Sequence, residues 1–493
     1  MPIVYDLPCE IWKHVLLYVR ARDVCAFRTV DRYAARFIAP FVPHASGPRF
    51  HCSRHRHGIV TGHEEAFVWM IEHREETYDF SACFNAASAR GCLNILDILE
   101  RRGLRNSSSK TMDYAAMNGH LNVVQWLHEN RKSQVEGCST DAMDGAAMNG
   151  HLEVVKWLHV NRNEGCTKDA MSFAAKKGHI GVVKWLHANR EEVCTRETMD
   201  NAAEHGHLEV VQWLHANHLE GCTTRAMNLA AIYGHLDVVR WLHDNRKEGC
   251  TREAMDGASH EGHLEVVQWL DATRTEGCTT RAMDYAAENG HLEVVRWLHE
   301  HRSEGCTKDA ISYAASNGHI EVVKWLHVNC RAQLDVECAR SQRRFWRDCP
   351  SFAMDGAATN GHMDVVRWLH ANRKEGCTTE AMDGASTNGH IEVVRWLHAN
   401  RKEGCTTEAM DGAAREGHLE VVQWLHASRE EGCTTGAMRG AACSGHLDVV
   451  KWLRSNRVSC SDGCTKEAME VAAEHGHFQV VNWLRANRVE GDV

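Results

Sequence analysis

Residues 376–404 read GCTTEAMDGASTNGHIEVVRWLHANRKEG, and residues 404–431 repeat them almost letter for letter, GCTTEAMDGAAREGHLEVVQWLHASREE. A Gly-His pair marks each copy, at Gly119, Gly150, Gly178, Gly206, Gly234, Gly262, Gly290, Gly318, Gly361, Gly389, Gly417, Gly445 and Gly476. The spacing is 28 residues almost throughout, with 31 twice and 43 once. Weaker copies precede these, ARGCLNILDIL around Gly91 and TGHEEAFVWMI around Gly62. Self-similarity at a fixed period of this length means a linear array of stacked units.

Each copy reads as two short antiparallel helices. In the copy from Cys405, Thr406 or Thr407 can cap the first helix, and Glu408 suits the positive end of its dipole. Ala409, Met410, Ala413 and Ala414 form a small apolar stripe at helical spacing. Gly417 fits the left-handed position that ends a helix. Leu419, Val421, Val422, Trp424 and Leu425 then form the apolar ridge of a second helix. Helices of about ten residues are unstable alone, so neighbouring copies must stack. The tryptophan that recurs once per copy, Trp126 to Trp483, is expected to hold the stack together, each burying on the order of 150–250 Å².

Ala413-Ala414, Gly417-His418 and Leu419-Glu420-Val421-Val422 with Leu425 resemble the ankyrin repeat, over about residues 62–493. Two features depart from that family. Its Thr-Pro-Leu-His opening reads here Glu408 to Asp411, Glu-Ala-Met-Asp. The period is also about five residues shorter than the family's 33, so its projecting loop is expected as a bare turn. The fold class that follows is all-α, an ankyrin-like helix-turn-helix solenoid with shortened loops. The helical solenoids with repeats of about 34 or 40 residues would need longer helices than this spacing permits.

A chain of 493 residues is too long for one core, but a linear array grows by repetition. Its net charge of −10 and pI near 6.4 argue against a nucleic-acid partner. No stretch approaches 18 consecutive apolar residues, and MPIVYDLPCEIWKH has neither the basic nor the apolar region of a signal peptide. The reading is a soluble intracellular monomer, in cytoplasm or nucleus, with its 21 cysteines as reduced thiols.

Residues 1–45 differ in kind and form a small helical module. Leu7, Ile11, Val15, Leu16 and Val19 fall at helical spacing, followed by Val24, Phe27, Val30 and Phe37. The pair Leu7-Pro8, with Glu10-Ile11, Val15-Leu16, Asp23-Val24 and Val30, resembles an F-box. That resemblance implies docking, through Leu7, Pro8, Ile11, Val15, Leu16 and Val19, on the adaptor of a cullin-type ubiquitin ligase. Ala34 stands where that family often has tryptophan. The alternative is a cap for the first repeat. Residues 46–61 read as a linker; His51, Cys52, His55 and His57 lack the second cysteine pair that a zinc finger needs. An insertion at about 330–348 is rich in arginine around Phe345 and Trp346, and reads either as a contact loop or as a segment without a role.

Twelve cysteines occupy one repeat position, Cys138 to Cys464. Equivalent atoms of stacked helices lie roughly 8–10 Å apart, whereas a disulfide needs Cα atoms within about 7 Å. Zinc needs sulfurs near ~2.3 Å. These thiols are therefore expected as buried packing, with no metal and no cofactor. Two histidine rows, one after each Gly and one after each Trp-Leu (His128, His159, His187, His215 and onward), have no Ser-His-Asp set, His-Glu-x-x-His or Walker loop beside them. An aspartate row (Asp113, Asp144, Asp200, Asp256, Asp284, Asp355, Asp383, Asp411) and an arginine row read as structural, the arginines at the negative ends of the second helices. No catalytic residue is expected.

The positions that change lie between Ala-Ala and Gly. They read Met117-Asn118, Met148-Asn149, Lys176-Lys177, Glu204-His205, Ile232-Tyr233, His260-Glu261, Glu288-Asn289 and Ser316-Asn317, then Thr359-Asn360, Thr387-Asn388, Arg415-Glu416, Cys443-Ser444 and Glu474-His475. Where a stack fixes its core, positions free to differ are exposed, and the ankyrin resemblance places them on the concave face where partners bind. Diversity peaks from Lys176 to Glu261. Lys176, Lys177, His205, Ile232, Tyr233, His260 and Glu261 are thus the expected contacts for a protein partner. The functional reading is a protein-binding module, with substrate receptor of a ubiquitin ligase as its elaboration. A plain scaffold without that link is the alternative, and an enzyme comes third.

Overall fold

The computed structural model describes residues 81–103, 109–130, 137–190, 195–217, 221–330, 351–456 and 463–487. The N-terminal module with Leu7, Pro8, Ile11, Val15, Leu16 and Val19, the linker, and residues 331–348 of the insertion lie outside the described residues. The described residues hold twenty-eight α-helices and no strand.

The two helices of a repeat follow from a few local bonds. Thr406, not Thr407, caps the first helix (Glu408–Arg415): its Oγ1 accepts the Glu408 N–H at 3.1 Å. Gly417 takes φ +84°, the left-handed region in which an L side chain is strained. The His418 N–H then reaches back to the Ala413 carbonyl at 2.8 Å, closing the helix and turning the chain into Leu419–Ser428. The connection to the next repeat is a bare turn, as the short period requires.

Ala409, Met410, Ala413, Ala414, Val421, Val422 and Leu425 are buried, none more than 2% exposed. Two compact units carry this packing, one ending at Ala226 and one beginning at Met227. Within each, first helices lie side by side, because Ala-Ala pairs have no side chain beyond Cβ to hold them apart; second helices touch one another less. In the second unit the insertion leaves the stacking register intact. Asn360 donates to the Ser316 carbonyl at 2.8 Å, and the Trp368 ring meets His327 at 5.2 Å, as neighbours 28 apart do elsewhere.

The tryptophans correct one expectation: they are half-buried rather than core. At 3.6 residues per turn, Val421, Val422 and Leu425 span one arc of the helix, and Trp424 lies about 60° outside it. Most rings instead meet a histidine from the preceding repeat edge-on, at 5.1–5.2 Å, in pairs such as His128–Trp157, His243–Trp269 and His398–Trp424, whereas Trp297, with Asp271 in the histidine's place, stacks on His301 at 4.5 Å.

Candidate interaction face

The columns that repeat are occupied with one another. Asp355 accepts the Thr378 N–H and the Thr378 hydroxyl, both at 2.8 Å, while Thr378 Oγ1 accepts the Glu380 N–H at 3.1 Å. One carboxylate thus fixes the residue that caps the next repeat's first helix. The same clamp joins Asp144 to Thr167, Asp200 to Thr223, Asp256 to Thr279, Asp284 to Thr307, Asp383 to Thr406 and Asp411 to Thr434. Burial outweighs these bonds and raises the carboxyls of Asp113, Asp144, Asp383 and Asp355, the last to about 6. Asn228 makes the contact without charge, accepting the Thr251 N–H and donating to Thr251 Oγ1, both at 2.8 Å.

The histidine after each Gly lies on the Gly of the preceding repeat. His207 Nε2 donates to the Lys176 carbonyl at 3.1 Å, and His120 Nε2 to that of Ala89 at 3.2 Å. Burial lowers the pKa of His151, His179, His291, His319 and His390, so these rings are neutral near pH 7.

The arginine row stands at the ends of the second helices, as expected, and adds a bond the sequence did not announce. Its described residues are extended C-caps, and in most of them the guanidinium forks onto a glutamate two residues on, as Arg274 does onto Glu276. Such a fork satisfies more donors than the helix dipole alone would. The Arg274 bond holds Glu276 below the ordinary carboxylate range. Arg274 Nη1 also lies 3.4 Å from His243 Nδ1. Where Asp271 replaces that histidine, it takes Arg302 at 2.8 Å. Burial, with the charge of the nearby glutamate, pushes the thiols of Cys138, Cys377 and Cys405 up to about 11 and that of Cys278 to about 12. Among the described residues no group of three His, Cys, Asp or Glu is gathered as metal ligands would be.

The changing positions are of two kinds. The second of each pair, His205 excepted, faces solvent: Lys177, Glu261 and Tyr233, the last 50% exposed. The first packs across onto the next repeat, at the residue just before its Ala-Ala. Ile232 covers Gly257, where a Cβ would fall 2.2 Å from the isoleucine, and Thr359 covers Gly384 likewise. His260 meets the Tyr285 ring edge-on at 5.5 Å. Lys176 and His205 are half-buried too.

That partner column was missed by the sequence reading, although aligning the copies exposes it. It runs Tyr114, Gly145, Phe173, Asn201, Leu229, Gly257, Tyr285 and Tyr313, then Gly356, Gly384, Gly412 and Gly440. The recurrent asparagine of the second position has a structural use. Asn317, Asn360 and Asn388 donate to the preceding repeat's Glu288, Ser316 and Thr359 carbonyls at 2.8–2.9 Å. Tyr233 and Glu261 replace that staple with side chains that serve no such bond; His260 Nδ1 instead meets Glu261 Oε1 at 2.8 Å.

The expected contact set falls in both units. Lys176, Lys177 and His205 belong to the first, near Phe173. Ile232, Tyr233, His260 and Glu261 belong to the second, where Leu229, Tyr285 and Tyr313 join them on successive first helices. The charge of Asp309 and partial burial raise the Tyr313 hydroxyl above its usual range, so it remains a neutral donor. Among the described residues no helix is long and apolar enough to cross a membrane.

A family model for ankyrin repeats in many copies matches residues 112–159, 283–327, 354–398 and 382–426, and one for three copies matches 143–225, 199–276 and 410–493. No curated protein matches the chain. Among solved structures, the chain is similar to the pentatricopeptide repeat protein PPR10 in complex with an 18-nt psaJ RNA element. That match has 10% identity over 95% of this chain and 79% of that one, with a TM-score of 0.36. It is also similar to PPR10 from maize, at 10% identity over 89% and 83% with a TM-score of 0.21.

Proposed function

Because the chain belongs to the ankyrin-repeat family, we propose that it is a non-catalytic scaffold that binds a protein partner on the first-helix face of its second unit. One observation carries this reading. Leu229, Ile232, Tyr233, His260, Tyr285 and Tyr313 stand on successive first helices, where the two repeats after the insertion carry only glycine (Gly356, Gly384), threonine (Thr359, Thr387) and asparagine (Asn360, Asn388) in the same columns. Tyrosine is a frequent hot-spot residue, large, stiff and able to donate one hydrogen bond. The repeated columns are saturated by their own neighbours, which supports an interaction role over catalysis. Lys176, Lys177 and His205 give the first unit a more basic face, suited to an acidic segment of the same partner or of another.

The finer reading is a substrate receptor: Leu7, Pro8, Ile11, Val15, Leu16 and Val19 hold a ubiquitin-ligase adaptor while the array holds the target. The Leu-Pro pair and helical spacing of residues 5–42 support it. Replacing Leu7 and Pro8 by Ala is expected to abolish adaptor copurification and leave the array's melting unchanged; if the first repeats unfold instead, the segment is a cap.

Photo-crosslinking tests the site itself. A benzophenone side chain placed at position 233 of the full chain should give a protein adduct in cells, and one at position 388 should not. Equal labelling from both positions, or an RNA adduct from 233, contradicts the assignment. Loss of the adduct on deleting residues 331–346 places the partner on the arginine-rich insertion instead.

A further inference from the structure

Among the described residues of the repeats from Gly119 onward, Cys330 alone interrupts the column of capping arginines made by Arg162, Arg190, Arg246, Arg274, Arg302, Arg373, Arg401 and Arg429. It caps the helix Ile320–Asn329, its N–H bonded to the Leu326 carbonyl at 2.9 Å. In several other repeats the guanidinium of this column touches two side chains of the preceding loop and helix. One is the ladder cysteine 24 residues earlier, as Arg162 touches Cys138, Arg274 Cys250, Arg401 Cys377 and Arg429 Cys405. The other is the histidine 31 residues earlier, as Arg274 touches His243 and Arg401 His370.

Cys330 inherits both neighbours. Its Sγ lies 3.8 Å from His299 Nδ1, and its thiol shares a hydrogen bond with that of Cys306. The two cysteines are buried, Cys306 at 0% and Cys330 at 3% exposure. Ladder cysteines stand a full repeat apart and cannot pair with one another, but this pair occupies adjacent columns of one repeat. A thiol beside an imidazole and a second thiol has the components of a reactive dithiol. The His299 ring is held edge-on by Trp325 at 5.1 Å, so the imidazole stays in place as a proton acceptor.

We infer that Cys306 and Cys330 form a redox-active dithiol that hydrogen peroxide converts to an intramolecular disulfide. His299 Nδ1 takes the Cys330 proton. The Cys330 thiolate attacks one peroxide oxygen, the O–O bond breaks, and the leaving hydroxide takes that proton as water, leaving a sulfenic acid. The Cys306 sulfur then attacks the Cys330 sulfur. The S–O bond breaks, the hydroxyl leaves with the Cys306 proton as a second water, and the S–S bond forms. In sum two thiols and one peroxide give one disulfide and two waters. A small oxidant suits a buried site at a helix end, where local opening admits it. The bond closes one repeat upon itself, from the loop before Lys308–Ser316 to the end of Ile320–Asn329, immediately before the insertion.

The test treats the reduced full chain with hydrogen peroxide, alkylates it in denaturant and maps tryptic peptides without reduction. The peptides of Cys306 and Cys330 should be recovered joined and two hydrogens lighter than their sum, while Cys138, Cys278 and Cys405 are recovered alkylated. Cys330→Arg, which restores the residue of the other repeats, should give no joined peptide and leave Cys306 alkylated; Cys330→Ser serves if that variant does not fold. Separate alkylation of Cys306 and Cys330 in the treated wild type, their oxidation to isolated sulfinic acids, or pairing of Cys330 with Cys338 or Cys349 overturns the inference.

Discussion

Asp355 shows how a single residue joins two repeats and what that costs. Its carboxylate takes both the N–H and the hydroxyl of Thr378, yet burial lifts its pKa from the ordinary 3.8 to about 6. Such a group binds more protons folded than unfolded between those values. Its contribution is therefore full below about pH 4 and is lost as pH rises through 6. Asp355→Asn copies the contact that Asn228 already makes with Thr251, and removes the charge. Its melting temperature relative to the wild type should rise from pH 4 to pH 7. Only this difference is diagnostic, because the buried histidines act in the opposite sense: with lowered pKa values, their stabilisation is lost as pH falls below about 6.5. Asp355→Ala leaves the part-buried Thr378 N–H without its carboxylate partner and should cost about 1–3 kcal/mol in denaturant unfolding. A mutant-to-wild-type difference that does not change with pH would mean that Asp355 does not titrate in this range.

The Gly-His pair shapes each helical hairpin and also its seam with the next. Gly389 sits at φ +77°, and a Cβ there would come within 2.6 Å of the His418 ring. Gly432 has φ +68° but nothing within 4 Å. Gly432→Ala should therefore cost about 1–2 kcal/mol from backbone strain alone, and Gly389→Ala clearly more, by urea unfolding; equal costs would mean the ring makes way freely. At this scale much was legible. Apolar periodicity marked both helices, and Gly417 marked the turn between them. The Asp–Thr clamp was not, because its partners stand 23 residues apart and neither announces the other. Trp424 was misplaced for a related reason: hydrophobicity assigns it to the ridge, whereas its angle around the helix assigns it to the seam. Truncating such a half-buried ring, as in Trp424→Ala, should cost about 3 kcal/mol, the low end for tryptophan.

Across the whole molecule, the columns that hold the array are distinct from those proposed to serve a partner. The pair positions were legible because they vary while their surroundings do not. Their partners Tyr285 and Tyr313 were not, since a column that alternates between glycine and tyrosine reads as noise until the structure shows what packs on it. Nor did an unbroken 28-residue period reveal that Lys177 and Tyr233 belong to different units. The most direct measurement takes the partner captured from position 233 and titrates it calorimetrically against the full chain and against the triple variant Tyr233→Asn, Tyr285→Gly, Tyr313→Gly, which writes the later repeats' residues into the face. Affinity should fall at least thirtyfold, since a central tyrosine alone is commonly worth about 2 kcal/mol, with a melting temperature within a few degrees of the wild type. Unchanged affinity, or a loss of binding that only follows a loss of folding, would contradict the account.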